Sequence, residues 1–532
     1  MATLSPFEEI PTNKKIPSSA KILELLGTSD LVKERYTTSQ EPYSGQGAGI
    51  GAGRNSRITF KIFNNSDYGD LSTAYITFNA QFGNSAVAPV PPANSTALQH
   101  LNAEDNVLSW FNLVRVSVND QILEEINNFN IWTNLITYAS MGKSYYETAG
   151  SFQGCYRHSN YLTGGPRGVI MTVAATSTAN VQGLDFGGQL NQMQMWEQLG
   201  QGAPSWVTSS GTAATPTAPT SGSGGNDTWA SNALQSPTGY NYSAPLAGYL
   251  GLFSIQKYFP LRSVASVTLE LNMSTNIGSV VYDNLLPATL PANFAATTLQ
   301  LNRVQLHMDM IRMSDAYYEI MDNELQKPDG LGVQYTVNTV ECVPANIPSG
   351  PAISSKTLIA SKGTRYLKSF YWVVVPNFTL NGGIAPPSSV FIPANFQSAQ
   401  LIVNSRRFPQ RPIDSLPRAY SELAKSTGKF NSVVGDSIIT YNKYDQDFSG
   451  ATENLASANN VDCEYSSCVM GVNFEQVLDA SDIELQGENS LTSGFQLQLE
   501  LVNNPSVNST AFLFPHFAKV LRIKGGAISI LN

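Results

Sequence analysis

The sequence predicts a mainly β protein built from two similar antiparallel sandwiches in tandem. Three features carry that expectation. Apolar residues recur with a period of two along most of the chain, turn formers are abundant while charge is scarce, and strand patterns of the first half return in order in the second. The 532 residues have room for two large all-β domains, and a 42% hydrophobic share supplies their cores. Charged residues reach only 13%, displaced by Ser, Thr, Asn, Gln and 41 Gly, which argues against both disorder and a long coiled coil.

From the N-terminus, residues 20–26 read as a short helix behind Ser18 and Ser19, stopped by Gly27. Residues 47–53 (GAGIGAG) superficially offer G-x-G-x-x-A. A polar stretch precedes them and a strand follows, the reverse of what a dinucleotide-binding turn needs, so they read as a flexible hinge behind an N-terminal arm. Strands follow wherever apolar residues alternate: Ile58, Phe60 and Ile62; Ala74, Ile76, Phe78, Ala80 and Phe82; Val114, Val116 and Val118; Val267, Leu269 and Leu271; Val304, Leu306, Met308 and Met310. The second half continues with Val333, Tyr335 and Val337, the buried-looking run at 371–375, and Phe495, Leu497, Leu499 and Leu501. One face apolar and one polar suits antiparallel sheets packed as a sandwich. Helices are few: 131–138 behind Asn130, Asp315–Gln326 behind Ser314, and 417–427 behind Ser415 and ended by Gly428.

An internal duplication orders these elements. Val118-Asn119 ends a strand and a helix follows about a dozen residues later; Val403-Asn404 does the same before the helix at 417. Leu269-Glu270-Leu271 and Leu499-Glu500-Leu501 each precede a loop and one last alternating strand, at 304–310 and 520–530 respectively. Between the two matches the first half carries about 55 extra residues, most of them in the low-complexity Ser/Thr/Gly/Pro/Ala stretch 200–243, which reads as a surface loop. The expected organisation is an arm and Gly-rich hinge over 1–55, a first sandwich over 56–313 carrying the 200–243 insertion, a helical connector at 314–326, and a second sandwich over 327–532.

Composition and motifs exclude several functions. A net charge of −9, with 31 basic against 40 acidic residues, counts against nucleic-acid binding as the main role; Arg406, Arg407 and Arg411 form the densest basic strip. No apolar run approaches the ~20 residues of a membrane span, and the first residues lack a basic-then-apolar leader, so the chain is expected to work in water without export. The four cysteines (Cys155, Cys342, Cys463 and Cys468) are too few for a disulfide framework and read as buried or surface thiols, not a metal site. His100, His158, His307 and His516 are scattered without ligand spacing, and His307 lies on the polar side of its strand. Neither a G-x-S-x-G elbow nor a phosphate-binding G-x-x-x-x-G-K-[ST] loop occurs. The carboxylate pairs Glu124/Glu125 and Asp479/Asp482 read as solvated charges, with a glycosidase dyad as the sharper alternative. Trp206 and Trp229 in the insertion suit either a sugar or partner contact or a pin holding the loop to its base. The sequons at Asn94, Asn226, Asn377 and Asn508 read as the chance yield of this composition. No catalytic, cofactor-binding or metal residues are assigned.

Taken together, the paired V-N strand ends at 118–119 and 403–404, the paired L-E-L strands, the connector SDAYYEIMDNEL and the closing KVLRIKGGAISIL resemble the double jelly-roll major capsid proteins of double-stranded DNA viruses. The look is nearest to those of virophages and Polinton-like viruses, over about residues 55–532. The resemblance implies two tandem eight-stranded jelly rolls with short helices in the connections. It also implies a non-enzymatic role as the major capsid protein of an icosahedral virus, located in the capsid shell of the virion and assembled inside the host cell. Three copies would form a pseudo-hexameric capsomer, with neighbouring capsomers and minor capsid or penton proteins as partners and no sequence-specific nucleic acid. The alternatives are a carbohydrate-binding or carbohydrate-active β-sandwich such as a virion spike, and a minor capsid or penton protein.

Overall fold

The computed structural model describes residues 32–51, 54–63, 66–84, 101–103, 106–142, 145, 149–155, 240–283, 297–326, 332–349, 356–360, 363–377, 388–394, 396–430, 437–439, 444, 467–475, 487–488, 495–501 and 508–531. The helix expected at 20–26 and all but the last residues of the 200–243 insertion lie outside them.

The first lobe contains β1 (Val32–Gln40), β2 (Gly49–Ile50), β3 (Arg57–Ile62), β4 (Tyr68–Asn84), β5 (Leu101–Ala103), β6 (Phe111–Val118), β7 (Gln121–Asn127), β8 (Tyr240–Pro245), β9 (Val267–Met273), β10 (Val281–Asp283) and β11 (Thr297–Met313). One sheet runs β1-β11-β4-β8, with β2 continuing the β1 side of β11; the other runs β3-β9-β6-β7; β5 and β10 form a small separate pair. The second lobe contains β12 (Val333–Val340), β13 (Val343–Ile347), β14 (Lys356–Ala360), β15 (Leu367–Pro376), β16 (Phe396–Val403), β17 (Arg406–Ile413), β18 (Met470–Asn473), β19 (Phe495–Leu501), β20 (Ser509–Lys524) and β21 (Ala527–Leu531). Its sheets run β12-β20-β15-β18, with β13 and β21 also on β20, and β14-β19-β16-β17. Numbering the eight main strands of each lobe along the chain, both lobes pair them 1-8-3-6 in one sheet and 2-7-4-5 in the other. This is the jelly-roll order, written twice. Among the described residues three helices of more than two turns accompany them, α1 (Phe129–Ser140), α2 (Asp315–Gln326) and α3 (Leu416–Ser426), beside a single helical turn at Ala149–Phe152.

The duplicated sequence signatures have a common physical cause. Asn119 and Asp120 take φ of 46° and 63°, and Asn404 and Ser405 take 47° and 65°. Each pair is the centre of a two-residue hairpin turn, between β6 and β7 and between β16 and β17. Two consecutive left-handed residues match the right-handed twist of the flanking strands, and Asn tolerates that conformation. The L-E-L segments are the central strands β9 and β19, whose leucines are all buried. The connector α2 starts behind Ser314, whose hydroxyl accepts from the Tyr317 amide at 3.4 Å, and buries Tyr317, Met321 and Leu325.

Three expectations need correction. Residues 32–51 are part of the first lobe rather than an arm and hinge. Strand β1 (VKERYTTSQ) has no apolar alternation; it pairs with β11 along its length, and charged contacts fix that register at the sheet edge. Arg35 and Thr37 both donate to Asp309 at 2.7 Å, Arg312 meets Glu34 at 2.7 Å, and Lys33 meets Asp315 at 2.8 Å. The glycines at 45 and 49 serve close approach: a Cβ on Gly49 would stand 1.9 Å from the Leu299 carbonyl oxygen, and one on Gly45 2.3 Å from that of Arg57. The closing strand expected at 520–530 is two strands, because Gly525 and Gly526 (φ 57° and 78°) turn the chain back to pair β21 with β20. Helix α1 starts earlier than expected, after Asn128 instead of Asn130.

The flanks of residues 156–239 lie together. The Gln153 and Gly154 carbonyls accept from the Val107 and Asn106 amides, and a Cβ on Gly154 would lie 3.3 Å from the Tyr242 ring. Ser405 is exposed in its left-handed position. Ser405→Gly is therefore expected to raise stability by about 0.5–1 kcal/mol, since glycine enters that region without a Cβ clash; denaturant unfolding of the full chain checks this.

The lobe junction and outer sheet faces as candidate functional surface

Helix α1 belongs to the first lobe by sequence, but its side chains are shared with the second. Trp132 packs on Tyr371 and Phe514 with ring centroids 6.0 and 5.5 Å apart, and Tyr138 meets Phe391 edge-on at 5.7 Å. The Trp132 indole donates to the Tyr249 carbonyl at 3.1 Å, and Asn134 donates to the Ser388 hydroxyl at 3.1 Å. Nine of its twelve residues are buried, so α1 is a core element of the junction and not a surface helix.

Beside it, Glu124 on β7 is wholly buried. Its two oxygens accept from the Gly251 amide at 2.8 Å and the Leu252 amide at 3.0 Å, capping the short 3-10 turn Leu252–Ser254. A Cβ on Gly251 would fall 1.7 Å from the Asn338 carbonyl oxygen on β12, so this loop touches the second lobe backbone to backbone. From the other side, the Lys519 ammonium donates to the Leu123 carbonyl at 2.9 Å. A cavity of about 230 Å³ remains between the lobes, lined by Glu124, Trp132, Tyr249, Asn338 and His516 among others.

Burial raises the Glu124 carboxyl above its ordinary range, against the pull of its two amide donors and of Lys519. His516, with its Nδ1 2.9 Å from the Ser369 hydroxyl, is pushed down to about 4 by burial and then by the Lys368 charge. The imidazole is therefore neutral near pH 7.

The outer faces of the two 1-8-3-6 sheets differ sharply. On the second lobe, Tyr371, Val373 and Val375 of β15 and Phe512 and Phe514 of β20 are all buried, with Trp132 seated among them. On the first lobe the outward positions are polar and only half-buried: Tyr75, Thr77 and Asn79 of β4 and Gln305 and His307 of β11. His307 stacks on Tyr75 at 4.8 Å and lies 2.9 Å from the Thr77 hydroxyl; Asn79 donates to Asn241 at 3.1 Å.

The residues singled out from sequence do not converge. Glu124 and Glu125 point to opposite faces of β7, the first into the junction and the second to Arg115 at 2.9 Å, so they form no dyad. Arg406, Arg407 and Arg411 are exposed along the edge strand β17, where Arg406 lies 3.7 Å from Glu488. Cys155 and Cys468 are buried, and Cys342 accepts from Asn128 at 3.5 Å with its thiol pushed up to about 12 by burial. His100, His158, Cys463, Asp479, Asp482, Trp206 and Trp229 lie outside the described residues. Among the described residues no three His, Cys, Asp or Glu side chains cluster as a metal site, and no helix is long and apolar enough to cross a membrane. Sequence reasoning missed Glu124 as a junction residue. The available signal was that it shares its strand parity with the buried Ile126.

Two outcomes are expected. Trp132→Ala should cost about 3–5 kcal/mol, as for other large aromatic truncations in a packed core, measured by denaturant unfolding. With the His516 ring held well below its unfolded value near 6.5, the unfolded chain binds more protons between about pH 6.5 and about 4. Stability should therefore fall on the order of 2 kcal/mol on acidification through that window, and His516→Gln should flatten the fall in thermal melts recorded across pH.

No family model matches the chain, and no curated protein does. Solved structures do. A chain in the cryo-EM structure of the Sputnik virophage is similar at a TM-score of 0.50 and 10% identity, covering 94% of this chain and 89% of that one. The Faustovirus major capsid protein gives 0.49 and 10% (92% and 90% covered), and the mavirus major capsid protein 0.44 and 11% (93% and 89%). With the 1-8-3-6 and 2-7-4-5 pairing present in both lobes and the Sputnik likeness running through nearly the whole chain, this protein has the double jelly-roll fold seen in viral major capsid proteins.

Proposed function

We propose that the chain is the major capsid protein of an icosahedral double-stranded DNA virus, a structural and non-enzymatic component of the virion shell. Three copies associate as a pseudo-hexameric capsomer. The observation that carries this reading is the repetition itself: two lobes with one strand order, locked side by side through α1. Two similar lobes per chain let three chains surround a threefold axis with six similar units, an outline that tiles a flat lattice. The polar, weakly charged outer surface favours hydrogen-bonded contact between copies with little repulsion. We assign residues 314–326 as the connector between the lobes and place the start of the first lobe near residue 32. Neighbouring capsomers and minor capsid or penton proteins are the partners this role requires. The buried Glu124 and the Arg115-paired Glu125 are committed to structural bonds, which favours a shell component over a carbohydrate-active enzyme.

Light scattering of the purified protein should give the mass of three chains, and images of single particles should have a hexagonal outline with threefold symmetry. A single-chain mass would refute the proposal. Deleting residues 1–31 should leave the trimer intact and impair shell assembly, whereas deleting 1–50 also removes β1 and β2 and should lower the melting temperature of the first lobe.

A further inference from the structure

The first main strand of each lobe occupies the same place, yet the two are held by different forces. Strand β1 pairs with β11 and β12 pairs with β20, both antiparallel and both at the edge of the 1-8-3-6 sheet. In β12 the alternate residues Val333, Tyr335, Val337 and Thr339 are buried, and the Tyr335 hydroxyl donates to the Tyr258 carbonyl of the first lobe at 2.9 Å. In β1 no residue is fully buried. Val32 and Tyr36 only half-enter the core, while Lys33, Glu34, Arg35 and Thr37 are exposed. Apolar burial anchors β12 and gives β1 little. Beyond its backbone ladder, β1 is tied to the lobe mainly by polar contacts. Lys33 meets Asp315 at 2.8 Å, Glu34 meets Arg312 at 2.7 Å, Arg35 and Thr37 share Asp309 at 2.7 Å, and the Tyr36 hydroxyl donates to Asp67. The two buried acids that face β1 also have partners on the body of the lobe: Asp67 faces Arg312 at 3.5 Å and the Tyr318 hydroxyl at 3.4 Å, and Asp70 accepts from Ser72 at 2.6 Å. Departure of β1 therefore strands neither carboxylate in an apolar site. The chain just beyond β1 is pinned: Pro42 is buried, Ser44 and Thr59 exchange backbone bonds, and the Gly49 amide donates to the Asn55 carbonyl at 2.9 Å.

We propose that β1 is a salt-released latch: raised ionic strength frees Val32–Gln40 from β11 while the rest of the first lobe stays folded. Each exposed ion pair is weak by itself. Several of them on one nine-residue strand without a buried anchor decide whether that strand stays. Salt weakens them together, because the screening length falls from about 10 Å at 0.1 M to about 3 Å at 1 M. Apolar burial is not screened in this way, so β12 is a control built into the same chain. Once freed, β1 carries the residues before it away from the lobe and uncovers the backbone edge of β11 from Leu306 to Met313, a row of donors and acceptors open to another strand. The latch works within a single chain, whatever the assembly.

Amide hydrogen exchange on the full-length protein, read peptide by peptide in sodium chloride, provides the test. In about 0.05 M salt the β1 amides should exchange at least roughly tenfold faster than those of β12. Raising the salt to about 1 M should speed β1 a further severalfold while β12, β4 and β6 stay within about twofold of their low-salt rates. Asp309→Asn keeps the shape of the side chain shared by Arg35 and Thr37 but removes its charge. In that variant β1 should exchange in low salt nearly as fast as the wild type does in high salt, with β12 unchanged. Equal protection of β1 and β12, a fast β1 that ignores both salt and Asp309→Asn, or a salt response shared by the whole lobe would each overturn the latch. None of these outcomes bears on the capsomer reading, which light scattering tests separately.

Discussion

A sheet has two faces, and in a sandwich only one of them goes to the core. What happens to the other decides the architecture of this protein. On the second lobe the outer face of β15 and β20 is mostly aromatic and aliphatic around the Ser369–His516 pair. There α1 from the first lobe covers it through Trp132, while the Tyr371 hydroxyl donates to the Ser426 carbonyl of α3. That burial makes the lobes one body. The hairpin before α1, the 3-10 turn capped by Glu124 and the glycine at 251 are the devices that bring the helix and its loop close enough to do so.

Charge is used sparingly and mostly at margins. Strand β1 buries little apolar surface and is held by Arg35, Lys33 and Glu34 to partners on β11 and α2, while Arg57 bridges β3 to Glu270 on β9. Such exposed pairs contribute little individually, about 0–1 kcal/mol each, so their value is in register more than in total stability. Among the described residues Asp67, Asp70, Glu124 and Lys368 are the buried exceptions, and Glu124 lines the cavity between the lobes together with the neutral His516.

Most of the fold was legible because its rules are local. The V-N repeats are left-handed hairpin turns, the L-E-L repeats are central strands, and the connector announced itself by a cap and an apolar stripe. What escaped was whatever depends on a distant partner. Strand β1 has no period of two because ion pairs hold it, the glycines at 45–51 look flexible until the backbones of Arg57 and Leu299 are placed against them, and the Gly525-Gly526 turn hid inside a continuous alternation. Of the candidate surface, sequence supplied the polar outward residues His307 and its strand neighbours. It did not supply the pairing of α1 with the second lobe, because contacts between Trp132 and Phe514 span nearly four hundred residues.

The backbone on either side of residues 156–239 is held at one place, since Gly154 is bonded to Asn106 and lies against Val107 and Tyr242. The 84 residues from 156 to 239 therefore leave and return through flanks held by native contacts. Doubling such an excursion costs only about 0.6 kcal/mol of closure entropy. Insertions or deletions between residues 156 and 239 should therefore leave the strand pairing of the first lobe unchanged.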